Sequence, residues 1–255
     1  MTNIWIICRK ELKSYFASPI AYLVITCFAL IWGYVFYMST AEFVRYGFMA
    51  EMQGRSAPMN VNEMVIRPLL QFGATVALFL IPLITMRIFA EEKKTGTIEL
   101  LLTSPVEDWE IILGKWFGAL FLYLCVLAVS ALNIALLFAF GKPDWKPILI
   151  GYLGLILQGG TLLAIGTFIS NLTKNQIVAG VATFFACLLL WLLSWSTAFQ
   201  ATGFAQVIGY LSIVTHFDGF AKGVIDSKDV IFYLSMIFFS LFLTARSMES
   251  LRWRA

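Results

Sequence analysis

Few residues of this 255-residue chain are of types that do chemistry, and their spacing does not assemble them. The four cysteines, Cys8, Cys27, Cys125 and Cys187, stand far apart. A metal knuckle or disulfide framework needs paired spacings, so they read as small apolar side chains in a membrane core. His216 is the only histidine. With no cysteine or carboxylate at ligand spacing, it reads as structural rather than as a metal ligand. A phosphate-cradling loop needs Gly-x-x-x-x-Gly-Lys followed by Ser or Thr, because glycine amides hold phosphate and the hydroxyl holds magnesium. The two Gly-Lys pairs, Gly114-Lys115 and Gly141-Lys142, are followed by Trp116 and Pro143. Leu157-Gln158-Gly159-Gly160 reads as small residues for close helix packing. No catalytic, cofactor-binding or metal-ligating residue is therefore expected in this chain.

The elements around these residues are set by hydropathy. The chain is 60% hydrophobic and 13% charged, where a soluble domain carries about 25% charged residues. The mean hydropathy is +0.84. One soluble core cannot hide that much apolar surface, whereas a bilayer accepts it if each crossing segment satisfies its own backbone. The net charge of +3 is too small to suggest nucleic acid. Spans of about 20 apolar residues fall at Ile20–Met38, Leu69–Met86, Phe117–Phe140, Ile148–Ile169, Ile177–Trp195 and Val230–Ala245. The first reads as uncleaved, being longer than a signal h-region and lacking a small-residue cleavage site. The fold class expected is all-α: one polytopic membrane domain, residues 1–255, with six transmembrane helices.

With the N-terminus inside, eleven of the 18 Lys and Arg fall on inner segments and seven on outer ones. That bias favours both termini in the cytoplasm. Residues 4–16 form an amphipathic helix, with Ile4, Trp5, Cys8, Leu12, Tyr15 and Phe16 on one face and Arg9, Lys10, Lys13 and Ser14 opposite. Ser18-Pro19 ends it, so residues 1–19 are expected to lie along the inner surface. Phe204, Val207, Ile208, Leu211 and Val214 recur at helical spacing, interrupted by Gly203 and Gly209. Residues 197–229 thus read as an outer interfacial or re-entrant segment. Gly114-x-x-x-Gly118 and Gly160-x-x-x-Ala164 offer faces for self-association.

None of the six spans contains Asp, Glu, Lys, Arg or His. Proton-coupled carriers and pumps usually need an ionisable residue at that depth, so energy is expected to enter from outside the spans. An ion-coupled carrier using broken helices, or a membrane scaffold in a motility or secretion complex, are the alternatives.

The informative stretch is the cytoplasmic segment 87–116. The second span is expected to continue through Glu91-Glu92-Lys93-Lys94 and stop at Gly96, a left-handed C-cap. A short piece, Thr97 to Thr103, leaves Ile98, Leu100, Leu101 and Leu102 exposed unless something covers them. Ser104 as N-cap, Pro105 at N1 and Glu107 at N3 then form a capping box that starts the next helix. The result is a rigid elbow with an apolar knuckle.

Glu91-Glu92-Lys93-Lys94-Thr95-Gly96-Thr97-Ile98-Glu99-Leu100-Leu101, followed by Ser104-Pro105 and Gly114-Lys115, closely resembles the Glu-Glu-x-x-x-Gly-Thr-x-Glu-x-Leu-Leu…Pro…Gly-Lys stretch of ABC-2 permeases. The likeness is strongest to the gliding-motility, GldF-like type. It extends to Glu11-Leu12-x-Ser14-Tyr15-Phe16-x-Ser18-Pro19 and to His216-Phe217 with Gly223. The resemblance implies a six-span permease that works as a dimer, of two copies or of two related permeases, with two ABC ATPase subunits. The elbow would be the coupling helix that docks in an ATPase groove, with Glu91, Glu92, Gly96, Thr97, Glu99, Leu100, Leu101 and Pro105 as its coupling positions. ATP and magnesium would belong to the ATPase. A GldG-like auxiliary subunit and a bacterial inner-membrane location are further implications. The substrate does not carry over.

Overall fold

The computed structural model describes residues 2–54, 59–103, 105–141, 143–199 and 209–252. Among these every regular element is helical. Six helical stretches are long and apolar enough to cross a membrane, which bears out the expected all-α, six-span architecture.

Helix α1 runs Thr2–Ala17 and α2 runs Pro19–Met52. Between them Ser18 is the N-cap: its Oγ accepts from the Ile20 amide, and Pro19 occupies N1. α2 does not stop at Met38 as read. Between 39 and 52 the chain holds no proline and one glycine, Gly47, so nothing breaks the helix. A π-helical turn, Asn62–Ile66, leads into α3, Arg67–Thr85. Next come α4, Ala90–Thr95, and α5, Ile98–Leu102. Helices α6, Asp108–Phe140, α7, Trp145–Leu172, and α8, Gln176–Phe199, are full spans. The short α9, Ile213–Ala221, precedes α10, Ser227–Arg252, which is longer than the Val230–Ala245 read for it. Phe204, Val207 and Ile208, with Gly203, lie outside the described residues; of the segment 197–229, residues 197–199 belong to the end of α8 and the rest is described from Gly209.

Helix α7 is the hub, packing against α3, α6, α8, α9 and α10. Its glycines let neighbours close in: a Cβ at Gly151 would stand 2.3 Å from Leu70, and one at Gly166 would stand 2.4 Å from Thr85. Some polar side chains of the spans find backbone partners within the bundle, although Gln158 Oε1 and Trp32 Nε1 are buried without one. Gln158 donates to the Ala74 carbonyl at 3.1 Å, and Thr161 to that of Tyr233 at 3.3 Å.

The two small-residue faces read as self-association surfaces are consumed inside the chain. A Cβ at Gly114 would come within 2.7 Å of Ile7, and one at Gly118 within 2.8 Å of Glu11, so both glycines seat α1. Gly160 faces Trp116 and Ile237, and Ala164 is fully buried.

The six crossings define two ends. One gathers α1, the elbow α4–α5, the α7–α8 turn and the end of α10. The far end gathers the top of α2, the α6–α7 turn and α9. There Arg67 and Gln71 both reach Asp218 Oδ1 at 3.1 Å, and Lys222 pairs with the same carboxylate.

Candidate coupling site

The elbow is built from a broken span. α3 ends at Thr85, so the second span does not run unbroken into Glu91–Lys94 as expected. The chain turns through 86–89 and restarts as α4. A restarted helix exposes free N-terminal amides. Here the amides of Phe89 and Ala90 both donate to Ser170 Oγ on α7, at 3.1 and 3.2 Å. Lys93 donates to the Asn171 carbonyl next to it. Arg87 forks onto Glu91 at 2.8 Å and also reaches Ser18 Oγ at 3.2 Å.

Gly96 ends α4 with φ 74°, the left-handed cap read from the sequence. Thr95 and Thr97 share a hydroxyl contact at 2.9 Å across it. α5 follows, with Ile98 packed on the core and Leu100 turned out, 72% exposed. The side chain of Leu101 lies outside the described residues.

The next helix starts three residues later than read. Ser104 is outside the described residues, and the N-cap is Glu107, which forms a reciprocal capping box with Glu110. The Glu-x-x-Glu spacing satisfies the same rule as Ser-x-x-Glu. A tertiary contact favours the later start: Asn3 of α1 donates to Glu110 Oε2 at 2.9 Å.

At the base of the elbow sits Lys115, 2% exposed. Its ammonium makes three hydrogen bonds: to Glu11 Oε1 at 2.8 Å, to Glu92 Oε1 at 2.9 Å and to the Ile88 carbonyl at 2.9 Å. Those acceptors belong to α1, to α4 and to the turn between α3 and α4. The Phe89 ring lies 5.2 Å from the same nitrogen, and Lys10 approaches Glu92 at 3.7 Å. A buried ammonium must be paired, and pairing it this way ties α1, the elbow and the start of α6 at one point. Tyr15 adds a fourth tie, its hydroxyl donating to the Ile84 carbonyl at 3.2 Å.

The eight sequence-predicted positions thus divide. Glu91 and Glu92 turn toward the protein's own cations, as positioning residues. Gly96, Thr97, Glu99, Leu100 and Pro105 are exposed. Sequence reading missed the Glu11–Lys115 pair because 104 residues separate them. One signal was present: on a helical wheel Glu11 falls between Ile7 and Ile4, a charge beside the apolar face of α1. That face is also rotated from the one read, since Trp5 is exposed and Ile7 is packed on the core.

His216 also gained a partner that spacing hid. Its Nδ1 lies 2.7 Å from Asp229 Oδ1, its Nε2 lies 2.8 Å from the Tyr210 carbonyl, and its ring stacks on Phe232 at 3.9 Å. These contacts pin α9 to the start of α10.

Comparison with known proteins places this geometry. The family model described as "ABC-2 family transporter protein" matches residues 5–245. The chain is similar to the "Probable multidrug ABC transporter permease YbhR" of Escherichia coli (strain K12), 26% identical over 148 residues, 52% of this chain and 39% of that one. It is also similar to the "Probable ABC transporter permease protein NosY" of Stutzerimonas stutzeri, 30% identical over 170 residues, 60% of this chain and 56% of that one. The matched stretches thus cover about half or less of those relatives' length. The family model covers nearly the whole chain, elbow included, and the chain belongs to the ABC-2 family of transporter proteins.

Proposed function

We propose that this chain is the membrane-spanning permease subunit of an ATP-driven ABC-2 exporter. The observation that carries the reading is the elbow: an exposed apolar tip at Leu100, on a base fastened to α1, α6 and α7 through Lys115 and Ser170. A rigid knuckle of that kind can pass a push from a docked partner into three helices at once. The partner is an ABC ATPase subunit, which would hold ATP and magnesium. Gly96, Thr97, Glu99, Leu100, Leu101 and Pro105 form the docking tip, and Glu91 and Glu92 keep it in place.

The elbow end is then cytoplasmic, with both termini, in a bacterial inner membrane. A second permease copy or a related permease completes the pathway. The GldF-like motif supports a gliding-motility-type assembly with a GldG-like subunit. The test is to purify the chain with its ATPase and measure turnover with and without it. Stimulated turnover and substrate movement support the transporter; tight association with no effect on turnover would indicate a scaffold instead.

A further inference from the structure

Helix α1 has two working sides. The inward side carries Ile7, Cys8, Glu11 and Tyr15, and Glu11 there holds Lys115. Away from it, Leu12, Trp5 and Phe16 share one narrow arc of the helical wheel, and Arg9 and Lys13 occupy the arc beside it.

The aromatic arc meets the outsides of two spans. The Trp5 ring packs edge-on against Phe121 at 6.2 Å, and the Phe16 ring against Tyr22 at 6.0 Å. Phe121 opens an exposed apolar line on α6 that continues through Cys125, Ala128 and Leu132. Tyr22 is 57% exposed at the start of α2. Both contacts fall where an apolar span begins at the elbow end, so this edge of α1 meets the hydrocarbon boundary.

The neighbouring arc is basic and unpaired. Arg9 and Lys13 are one turn apart and exposed, and among the described residues neither side chain has a hydrogen bond or an ion pair. The carboxylates of this junction are turned elsewhere: Glu11 and Glu92 to Lys115, and Glu91 to Arg87. Two free cations beside an apolar edge at the membrane boundary stand where lipid phosphates lie. A soluble anion would use the cations alone. A lipid uses the aromatic edge as well.

We propose that Arg9 and Lys13 form a docking site for the phosphate headgroup of an anionic phospholipid, whose chains lie along Trp5, Leu12 and Phe16. The lipid grips α1 on the side away from Glu11, so one helix joins lipid phosphate to the Lys115 junction at the base of the elbow. The site requires only the six crossings. Its assignment to the inner leaflet rests on the function proposed above, and the test below involves no ATPase.

The experiment reads lipid contact on the full chain, purified and reconstituted into phosphatidylcholine vesicles. The vesicles hold either spin-labelled phosphatidylglycerol or spin-labelled phosphatidylcholine, at the same mole fraction and with the same labelled chain. In a background without Cys27 and Cys125, a fluorophore is attached through Ile6→Cys, on the exposed side next to Lys13, or through Phe238→Cys in the middle of α10 as a control. The ratio of quenching by the two lipids reports preference for the anionic one whatever the depth of the fluorophore. At Ile6 the preference should be about five- to twentyfold, the scale of one to two basic residues facing anionic lipid. At Phe238 the two lipids should quench alike. Arg9→Gln with Lys13→Gln should bring the Ile6 ratio close to one, whereas Arg9→Lys should largely keep it. Raised salt should lower it, because the pairing is exposed. Equal quenching at Ile6, the same preference at Phe238, or a preference that survives the double replacement overturns the proposal. Loss of the preference on adding free glycerol phosphate at matched ionic strength would assign the cations to a soluble anion, and also overturns it.

Discussion

The Lys115 ammonium donates to Glu92 at 2.9 Å, joining the start of the third span to the elbow helix. The same group holds Glu11 at 2.8 Å, so one cation serves two carboxylates from different helices. Replacing Lys115 with Met leaves both carboxylates largely buried and facing each other. Removing one member of such a set costs about 3–5 kcal/mol. Lys115→Met should therefore lower the melting temperature of the purified protein clearly. Glu11→Gln or Glu92→Gln alone should lower it less, because Lys115 keeps one partner. The triple replacement should recover part of the loss. A Lys115→Met protein that melts with the wild type would show that these ions do not hold α1 to the elbow.

Gly114 tests the same junction by shape. A methyl there would meet the Ile7 Cβ at 2.7 Å and the Ile4 carbonyl at 3.0 Å, neither of which can swing aside. Overpacking of this kind costs about 1–3 kcal/mol. The reporter is Cys8, buried on α1, whose thiol pKa is raised by burial and then by Glu11. In a background without the exposed Cys27 and Cys125, Cys8 should label slowly with a maleimide. Gly114→Ala should speed labelling about tenfold, as expected for roughly 1.4 kcal/mol of loosening. Equal rates would mean that α1 is not seated on the glycines.

Ser170 is a side-chain cap on the restarted helix α4, accepting from two successive amides. Loss of a capping oxygen costs about 0.5–2 kcal/mol. Ser170→Ala should raise hydrogen exchange at Phe89 and Ala90, while exchange in the middle of α7 stays as it was. If exchange at those two amides does not change, the turn at 86–89 is held by packing alone.

Much of this could be read from sequence, and the failures have physical causes. The spans were legible because about 20 apolar residues have one economical home. The Gly96 cap was legible because only glycine follows a helix so readily into φ 74°. The start of α6 was misread because Ser104-x-x-Glu107 and Glu107-x-x-Glu110 obey one local rule, and Asn3 on a distant helix favours the second. Gly114 and Gly118 were assigned to self-association because spacing says that a helix comes close there, and not which helix. Lys115 was seen as part of a motif, but pairing across 104 residues is a property of the fold.

The far end carries a pH-dependent tie. Burial pushes the Asp218 carboxyl up, but hydrogen bonds from Lys222 and Arg67 outweigh it and leave its pKa below the ordinary carboxylate value. A carboxylate with a depressed folded pKa stabilises the fold above its unfolded pKa, near 4, and loses that contribution as pH falls through the folded value. Asp218 is 40% exposed, so screening limits the effect to under about 1 kcal/mol. Protease cleavage near α9 should hold steady from pH 7 to 5 and rise below about 4. Asp218→Asn should remove that rise; if it persists unchanged in the variant, another group is responsible.

Leu100 decides whether the elbow is a docking tip. It is 72% exposed on a five-residue helix, and an exposed leucine adds nothing to the stability of the isolated chain. Aspartate at this position should leave insertion, protein level and melting temperature unchanged, because the side chain touches no core. Against a partner groove the outcome differs. A carboxylate forced into an apolar pocket without a counter-ion costs several kcal/mol, enough to abolish a contact of ordinary strength. Glu99→Ala on the same helix should weaken docking far less, since an exposed ion pair is worth about 0–1 kcal/mol. Glu92→Ala should behave in the opposite sense to Leu100→Asp, destabilising the chain through Lys115 before it reaches any partner. Melting temperature, ATPase pull-down and permease-stimulated turnover, measured together, separate the three. The docking reading requires that Leu100→Asp keep its melting temperature and lose both pull-down and stimulation. If it keeps all three, the elbow is a packing loop, and the coupling positions must be sought elsewhere on this end of the protein.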